Sequence, residues 1–303
     1  MGRSVAGRVG MRFGLVPPIV HRNPRFTPPR WEFDAGIDDL AFVARAADEL
    51  GYDFMCFPGH VAIPEEVANV RGLVYWDPVA TMSYIAARTR RLKLCSYVVV
   101  LGYYHPLQIA KSYGTVDRLS GGRLILGVGV GSLQQEFELL GAPFEDRGPR
   151  GDDALRALRA SLSQRMPVYH GTYFDYEGFV VEPHAVQERV PIWIGGRTRR
   201  SLRRALELAD GWSPFKLSIE ELQPMLDERR DEIDAHAGFD LVFPPDPPLD
   251  PIGDASGVDQ VLGAYRSLGA TALALRFVHR SREHYVEQLE AFTKLSADDR
   301  RAS

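Results

Sequence analysis

Short apolar runs and longer stretches with helical spacing follow one another along the whole chain. The run from Val9 to Val16 predicts a buried first strand, and the proline-rich segment 17–29 after it cannot belong to a sheet interior. From Asp34, a candidate N-cap, apolar residues recur every three to four positions until Gly51, which predicts a helix and its end. The first part of the chain is therefore predicted to be a strand, a loop and a helix.

The same order recurs along the rest of the chain. Seven further apolar runs have strand length, and they cover 54–57, 92–101, 124–130, 192–194, 212–215, 239–243 and 272–277. Each is followed by helical spacing, which predicts helices at 77–88, 106–119, 152–163, 199–209, 219–236, 258–268 and 281–295. The segment 164–191 departs from this order, and its interleaved aromatic residues and glycines predict a small hairpin.

Eight strand–helix units predict the fold class. The run 124–130 is apolar without alternation, which is typical of a strand buried on both faces in a parallel sheet covered by helices. We therefore predict an α/β fold, a (β/α)8 TIM barrel with insertions in the loops at its C-terminal face. Residues 9–303 are expected to form this barrel as a single domain, and residues 1–8 a flexible N-terminal tail.

Composition and charge narrow the class of protein. No apolar run approaches the ~20 residues that a membrane-spanning helix needs, and the formal net charge of −4 gives no reason to expect a nucleic-acid partner. Cys56 and Cys95 both lie inside predicted strands, as expected for buried thiols in a reducing compartment rather than for a disulfide or a metal site. We expect a cytoplasmic protein without a metal centre that acts on a small molecule and not at a membrane.

Active sites of such barrels lie at the carboxyl ends of the strands, and the opposite ends serve stability. Within DRLSGGRLILGVGVGSLQQEF (117–137), this rule assigns 120–123 to the bottom of the barrel and 129–132 to its mouth. The absence of side chains at Gly129 and Gly131 would let a ligand come close to the backbone. A dinucleotide-binding motif does not fit, because the glycine spacing is GxGxG and Ser132 stands where the third glycine belongs.

Two other strand ends carry candidate chemistry. The fifth strand runs through Gly195 and Gly196 into Arg197, Thr198 and a helix start, where free N–H groups and the helix dipole favour a phosphate. His60 follows the second strand on a Pro-Gly corner, and histidine is well suited to exchange protons near neutral pH. A structural, hydrogen-bonding histidine explains this position equally well. No nucleophile elbow is present, which argues against a hydrolase triad.

Arginines crowd the helix after the fifth strand, at Arg197, Arg199, Arg200, Arg203 and Arg204. We interpret Arg203 and Arg204 as part of a solvated helix face. The other mouth histidines, His105 and His279, are weaker candidates than His60. His105 precedes Pro106 at a helix start, where a positioning role explains it equally well.

Three segments resemble the luciferase-like monooxygenase superfamily and, within it, the branch that depends on coenzyme F420. They are HPLQIAKSYGT (105–115), DRLSGGRLILGVGVGSLQQEF (117–137) and PIWIGGRTRRSLRRALELADGW (191–212), within a resemblance that extends from Met11 to about Leu295. The resemblance implies a barrel that holds a flavin or deazaflavin ring in its mouth, with the phosphate at the fifth-strand glycines. It also implies a non-prolyl cis peptide in the third strand, which falls at Tyr97-Val98.

The chain departs from the family's sugar-phosphate dehydrogenases at two positions. Gly59-His60 stands where those enzymes have Asp-His, and Ser132 stands where they have a glutamate. A proton relay that needs two carboxylates is therefore not expected, and sugar-phosphate oxidation is not the predicted activity.

The predicted function is that of an oxidoreductase that transfers a hydride between coenzyme F420 and a small organic substrate. His60 is the predicted proton donor or acceptor. The predicted cofactor contacts are ring support from Tyr97 and Val98, open space at Gly129, Gly131 and Ser132, and a phosphate clamp at Gly195, Gly196, Arg197 and Thr198. The arginine cluster favours this cofactor, because its polyglutamate tail is acidic.

Two alternatives remain open from the sequence. The first is an FMN-dependent luciferase-like monooxygenase on the same barrel. The second is a barrel that binds a flavin or deazaflavin without catalysis. The resemblance also implies a homodimer.

Overall fold

The apolar runs of the sequence form the strands of the structure, a computed structural model that describes residues 10–22, 28–297 and 299. The predicted tail at 1–8 lies outside these residues. The strands are β1 (Arg12–Leu15), β2 (Phe54–Phe57), β3 (Lys93–Ser96), β4 (Val99–Val100), β5 (Leu124–Gly129), β6 (Tyr169–His170), β7 (Asp175–Tyr176), β8 (Ile192–Gly195), β9 (Gly211–Ser213), β10 (Asp240–Phe243) and β11 (Ala272–Leu275).

Helices follow the strands in the predicted order. They are α1 (Trp31–Asp34), α2 (Ile37–Glu49), α3 (Ala68–Arg71), α4 (Pro78–Ala86), α5 (Pro106–Ser120), α6 (Gln134–Leu139), α7 (Arg147–Ser161), α8 (Arg199–Leu208), α9 (Ile219–Asp227), α10 (Arg230–Ala235), α11 (Ala255–Leu268) and α12 (Arg282–Leu295). Single 3₁₀ turns cover Glu65–Val67 and Leu101–Tyr103.

The main sheet is parallel and closed. Its strand order is β3-β2-β1-β11-β10-β9-β8-β5-β4, and β3 also pairs with β5, which closes the ring. Because β3 and β4 are two segments of one barrel strand, the barrel has eight strands with helices outside it, and the predicted TIM barrel is confirmed. Separately, β6 pairs antiparallel with β7, which confirms the hairpin predicted within 164–191.

Three element predictions need correction. The first long helix begins after Gly36 rather than at Asp34, because the Asp39 carboxylate accepts a hydrogen bond from the Gly36 N–H at 2.9 Å, while Asp34 ends the separate helix α1. Helix α6 was not predicted. The predicted helix 219–236 is interrupted after α9, where the Arg229 N–H bonds the Leu226 carbonyl at 3.1 Å in the tighter pattern that ends a helix.

Two groups of apolar side chains fill the molecule. The inner group lies inside the barrel and comprises Val16, Phe54, Cys56, Cys95, Ile125, Trp193, Val242, Ala272 and Ala274. A larger group lies between the barrel and its helices. Cys56 and Cys95 are adjacent in the β2–β3 register, and both are free and buried, as predicted.

The turn before β5 forms the bottom of the barrel, as predicted for 120–123. Gly121 has φ +70° and Gly122 has φ +85°, conformations that glycine adopts without strain. The Arg123 guanidinium donates to the carbonyls of Ala86, Thr89, Leu92 and Ser120 at 2.7–3.2 Å. These contacts join two neighbouring strand–helix units, so this half of the segment has a structural role.

Candidate active site at the barrel mouth

The peptide bond between Tyr97 and Val98 is cis and non-prolyl, as the sequence predicted. It lies between β3 and β4, at the carboxyl end of the third barrel strand. A Cβ added to Gly129 would lie 3.1 Å from one Val98 methyl, and a Cβ added to Gly195 would lie 2.8 Å from the other. The two glycines therefore accommodate Val98, and the three residues form one surface at the mouth.

The space at Gly131 is also taken by side chains of this chain. Gly131 has φ +79°, and a Cβ there would lie 2.5 Å from the Phe137 ring and 2.7 Å from Val100. Ser132 accepts a hydrogen bond from the Arg71 guanidinium at 3.2 Å. This loop is thus tied to the loop after β2, and its contact with a cofactor stays a prediction.

His60 forms the centre of the mouth's polar groups. Its Nδ1 lies 2.7 Å from Glu136 Oε2, and Glu136 is only 1% exposed. The other carboxylate oxygen accepts the backbone N–H groups of Val61 at 2.7 Å and Ala62 at 3.1 Å, and the Tyr103 hydroxyl donates to Oε2 at 2.8 Å. Four donors therefore satisfy one buried carboxylate.

This environment keeps Glu136 ionised. Burial alone would raise the pKa of Glu136, but the hydrogen bonds from His60 and Tyr103, the charge of His60 and the Ala62 N–H together hold this pKa below its ordinary value. An ionised carboxylate at Nδ1 fixes a proton on that nitrogen. Within the described residues, the His60 Nε2 has no hydrogen-bond partner, so this nitrogen is available to exchange a proton with a ligand.

Aromatic side chains hold the His60 ring in place. Its ring meets Tyr75 edge to face at 4.7 Å, and the other side of Tyr75 stacks on His21 at 4.5 Å. Burial raises the pKa of Tyr75 to about 12, and burial with the nearby Arg276 charge lowers the pKa of His21 to about 4. Near neutral pH both rings are therefore uncharged.

Glu136 is a site residue that the sequence analysis missed. It lies on α6, four residues after Ser132, which stands where the family's sugar-phosphate dehydrogenases have a glutamate. Glu136 and Phe137 are both buried on this short helix. Because no helix was predicted at 134–139, the sequence pattern did not indicate a buried carboxylate there.

The predicted phosphate site is a strand end followed by a capped helix. Thr198 is the N-cap of α8, and its Oγ1 accepts the Ser201 N–H at 3.2 Å, while the Thr198 N–H bonds Ser201 Oγ at 3.1 Å. Gly196 has φ +123°, and a Cβ there would lie 2.9 Å from Ser201. Arg197 lies over the Phe215 ring at 6.0 Å. The geometry of this loop is as predicted, and its phosphate role stays a prediction.

The arginines after this loop are less available than the sequence suggested. Arg199 pairs with Glu228 at 2.6 Å, and Arg203 pairs with Glu207 at 3.6 Å on the exposed face. The interpretation of Arg204 as solvated was wrong. Arg204 is 6% exposed and pairs with Asp152, because it shares the buried face of α8.

The remaining mouth histidines have structural partners. His105 is the N-cap of α5, and its Nδ1 accepts the Leu107 N–H at 3.2 Å, so of its two explanations the structure favours the positioning role. His279 lies 2.8 Å from Glu32 and 2.8 Å from the Phe277 carbonyl.

Within the described residues, no group of three His, Cys, Asp or Glu side chains is placed to hold a metal ion.

No helix among the described residues combines the length and apolar character needed to cross a membrane.

The family model of the luciferase-like monooxygenases matches residues 11–242 of the chain. The chain therefore belongs to the luciferase-like monooxygenase family, a family of oxidoreductases and monooxygenases, as its motifs predicted.

Curated relatives include members with different reactions. An uncharacterized protein of Mycobacterium tuberculosis is 28% identical over 276 residues, which are 85% of this chain and 94% of the relative. The 5,10-methylenetetrahydromethanopterin reductase of Archaeoglobus fulgidus is 28% identical over 175 residues, 57% of this chain and 48% of the relative. The FMNH2-dependent dimethylsulfone monooxygenase of Pseudomonas putida is 26% identical over 158 residues, 51% of this chain and 43% of the relative.

Solved structures share the fold at lower sequence identity. A monooxygenase from Streptomyces bottropensis superposes with a TM-score of 0.73 at 21% identity, over 95% of this chain and 99% of that chain. The coenzyme F420-dependent tetrahydromethanopterin reductase of Methanopyrus kandleri superposes with a TM-score of 0.69 at 14% identity, over 94% and 97%. At these identities the likeness is one of fold.

Proposed function

We propose that this protein is an oxidoreductase that binds coenzyme F420 in the barrel mouth and transfers a hydride between it and a small organic substrate. The observation that carries the proposal is the His60–Glu136 pair, 2.7 Å apart, with a free His60 Nε2 in the same mouth as the Tyr97–Val98 cis peptide. The bound deazaflavin would supply the hydride chemistry. The chain would supply binding, orientation and a proton.

The residues at the mouth fit a ring with a phosphate-bearing arm. Val98, seated against Gly129 and Gly195, offers an apolar support for a ring. The start of α8 offers backbone N–H groups and the positive end of a helix dipole to a phosphate, with Arg197 beside it. The buried hydroxyls of Tyr97 and Ser213 lie beside each other, have no other partner in the described structure and can bond polar atoms of a ligand.

His60 has the environment that a proton carrier needs. When a hydride is added to a carbonyl, imine or conjugated carbon, the product also needs a proton, and the reverse reaction releases one. Glu136 keeps the Nδ1 proton in place, so that a proton can be exchanged at Nε2. Gly131 and Ser132 are proposed to contact the cofactor, because they lie in the loop that packs against Phe137, next to the His60–Glu136 pair.

An FMN-dependent monooxygenase is the second candidate. The dimethylsulfone monooxygenase of Pseudomonas putida supports it, while the F420-dependent reductase of Methanopyrus kandleri supports the first candidate. The arginine argument for F420 is weaker than the sequence indicated, because Arg199, Arg203 and Arg204 are each paired with a carboxylate. We keep F420 as the first candidate because Arg197 and Arg200 have no ion-pair partner in the described structure.

Cofactor titration separates the candidates. We expect the purified protein to bind F420, measured by quenching of the cofactor's fluorescence, and to show no oxygen uptake with reduced FMN. Oxygen uptake with reduced FMN and no affinity for F420 would establish the second candidate instead. Binding to neither cofactor would overturn both. Tight binding with turnover that His60→Ala leaves unchanged would indicate a barrel in which His60 is structural.

The same proposal includes a homodimer in the cytoplasm that acts on a small molecule. A homodimer of a 33.9 kDa chain has about twice that mass, which light scattering on the cofactor-loaded protein measures directly. A monomer at micromolar concentration would contradict this part of the proposal alone.

A further inference from the structure

Three hydrogen-bond donors project into the barrel above the inner apolar group. Tyr97 follows β3 and packs against that group. Side chains alternate along a strand, so Ser213 shares the inward face of β9 with Gly211, whose Cβ position faces Trp193 of the inner group. Arg276 follows β11 and shares the inward face of Ala272 and Ala274, which belong to the inner group.

These donors have no acceptor outside their own group within the described part of the chain. The Tyr97 and Ser213 hydroxyls are buried beside each other with no other hydrogen-bond partner, and Ser213 is 3% exposed. The Arg276 guanidinium makes neither a hydrogen bond nor an ion pair with the described residues. Buried hydroxyls normally bond to an acceptor, so two such hydroxyls beside an unpaired, half-buried guanidinium indicate a missing acceptor.

The carboxylates of the mouth do not supply that acceptor. Glu136 is held by His60, Tyr103 and two backbone N–H groups, and Glu32 is held by His279 and the Ile19 N–H. Burial and then the Arg276 charge lower the pKa of His21, so that ring is uncharged near neutral pH and adds no second cation to the mouth. Burial raises the pKa of Tyr97 well above its ordinary value, so its hydroxyl keeps the proton that it donates.

We propose that Arg276, Ser213 and Tyr97 form a subsite for a negatively charged oxygen of a planar ligand. Arginine has donors only, and its fork matches a carboxylate or an enolate-like oxygen pair. Two ligands carry that chemistry: a substrate carboxylate, and the anionic edge of a reduced flavin or deazaflavin ring. The second source rests on the proposed function, and the first does not.

The test has two arms, run on the same four proteins. These are the wild type, Arg276→Gln, Ser213→Ala and the control Arg280→Gln, which removes an exposed arginine from the same loop. The first arm measures binding of benzoate, and of neutral benzamide, to the protein without cofactor by calorimetry. The second arm measures the dissociation constants of oxidised and reduced F420, and of oxidised and reduced FMN. Thermal unfolding checks each variant, and none is expected to unfold early because these side chains have no internal bonds to lose.

Each outcome decides either whether the subsite exists or whether the substrate or the cofactor supplies its oxygen. Benzoate binding at least tenfold weaker in Arg276→Gln and unchanged in Arg280→Gln assigns the oxygen to the substrate. A tenfold change in the ratio of reduced to oxidised dissociation constants, which is about 30 mV for a two-electron couple, assigns it to the cofactor. If neither quantity changes in Arg276→Gln or Ser213→Ala, the subsite is overturned. Failure of the wild type to bind either cofactor defeats the proposed function, and the benzoate arm still decides the subsite.

Discussion

The barrel mouth holds two histidine–glutamate pairs of nearly equal length. His60 lies 2.7 Å from Glu136, and His279 lies 2.8 Å from Glu32. Both carboxylates are buried, at 1% and 5% exposure. The pairs differ at the second ring nitrogen. His279 Nδ1 lies 2.8 Å from the Phe277 carbonyl, whereas His60 Nε2 has no partner among the described residues.

This difference is why His60, and not His279, is the proposed proton carrier. With both ring nitrogens held, His279 can join the end of β11 to the loop after β1, but it has no nitrogen left for a ligand. Glu136 has a comparable structural task, because it anchors the loop after β2 through the N–H groups of Val61 and Ala62. A buried carboxylate beside a histidine is therefore not by itself a catalytic signature, and the proposed role of His60 depends on its second ring nitrogen.

The largest expected effect is on turnover. His60→Ala should lower kcat of the proposed hydride transfer about 10²- to 10⁴-fold, the usual contribution of a general acid or base. The matched variant His279→Ala should lower kcat less than about tenfold at temperatures where it is folded, because its role is structural. The measurement is cofactor bleaching with the best substrate from a panel of aldehydes, ketones and enones. Equal losses in the two variants would remove the distinction between the pairs.

The second-largest expected effect is on stability and concerns the His279–Glu32 pair. Glu32→Ala leaves His279 and the Ile19 N–H without their buried acceptor, and removing one partner of a buried pair costs about 3–5 kcal/mol. Urea unfolding of the wild type and the variant measures this loss. The exposed Glu283, which pairs with Arg282, is the control, and Glu283→Ala should leave the unfolding midpoint unchanged. A midpoint for Glu32→Ala equal to that of the control would contradict the structural role.

The sequence predicted the barrel because its signal is local. Apolar runs such as 54–57 and 192–194 coincide with β2 and β8, and prolines or glycines mark where they end. The family resemblance implied the cis peptide, and the helix starts after His105 and after the fifth-strand glycines were also predicted, since each depends on a motif of a few residues. Strand register and barrel closure follow from these elements by the packing of parallel strands.

The parts of the site that were missed depend on distant partners. Glu136 is made a site residue by His60 and Tyr103, which are 76 and 33 positions away. Arg204 lies on the buried face of α8 and pairs there with Asp152, 52 positions away. Helical spacing indicated this burial only in part, because Arg204 lies three residues after Ser201 on the same face. No pattern within a single element distinguishes a solvated charge from one that meets a partner across the fold.

The third prediction concerns pH and the stability that Glu136 contributes. Its pKa is lowered in the folded state, so its contribution is present above the pKa of the unfolded chain, about 4.3, and is lost as pH falls through the folded value. Glu136→Gln should be about 1–3 kcal/mol less stable than the wild type at pH 6–8. This difference should shrink below about pH 4, as urea unfolding at several pH values will measure. A difference that stays constant down to pH 3 would show that the ionised carboxylate is not what stabilises the loop after β2.

The smallest expected effect comes from a single donor to the same carboxylate. Tyr103→Phe removes the hydroxyl that donates to Glu136 at 2.8 Å but leaves His60 and two backbone N–H groups in place, so we expect a loss of about 1 kcal/mol. Since that hydrogen bond helps to lower the pKa of Glu136, its removal should raise this pKa, and stability should begin to fall at a higher pH than in the wild type. Tyr104→Phe is the matched control, because Tyr104 is 41% exposed and does not contact the carboxylate. If the two variants titrate alike, Tyr103 only packs against Phe137, and the Glu136 environment is set by His60 and the backbone alone.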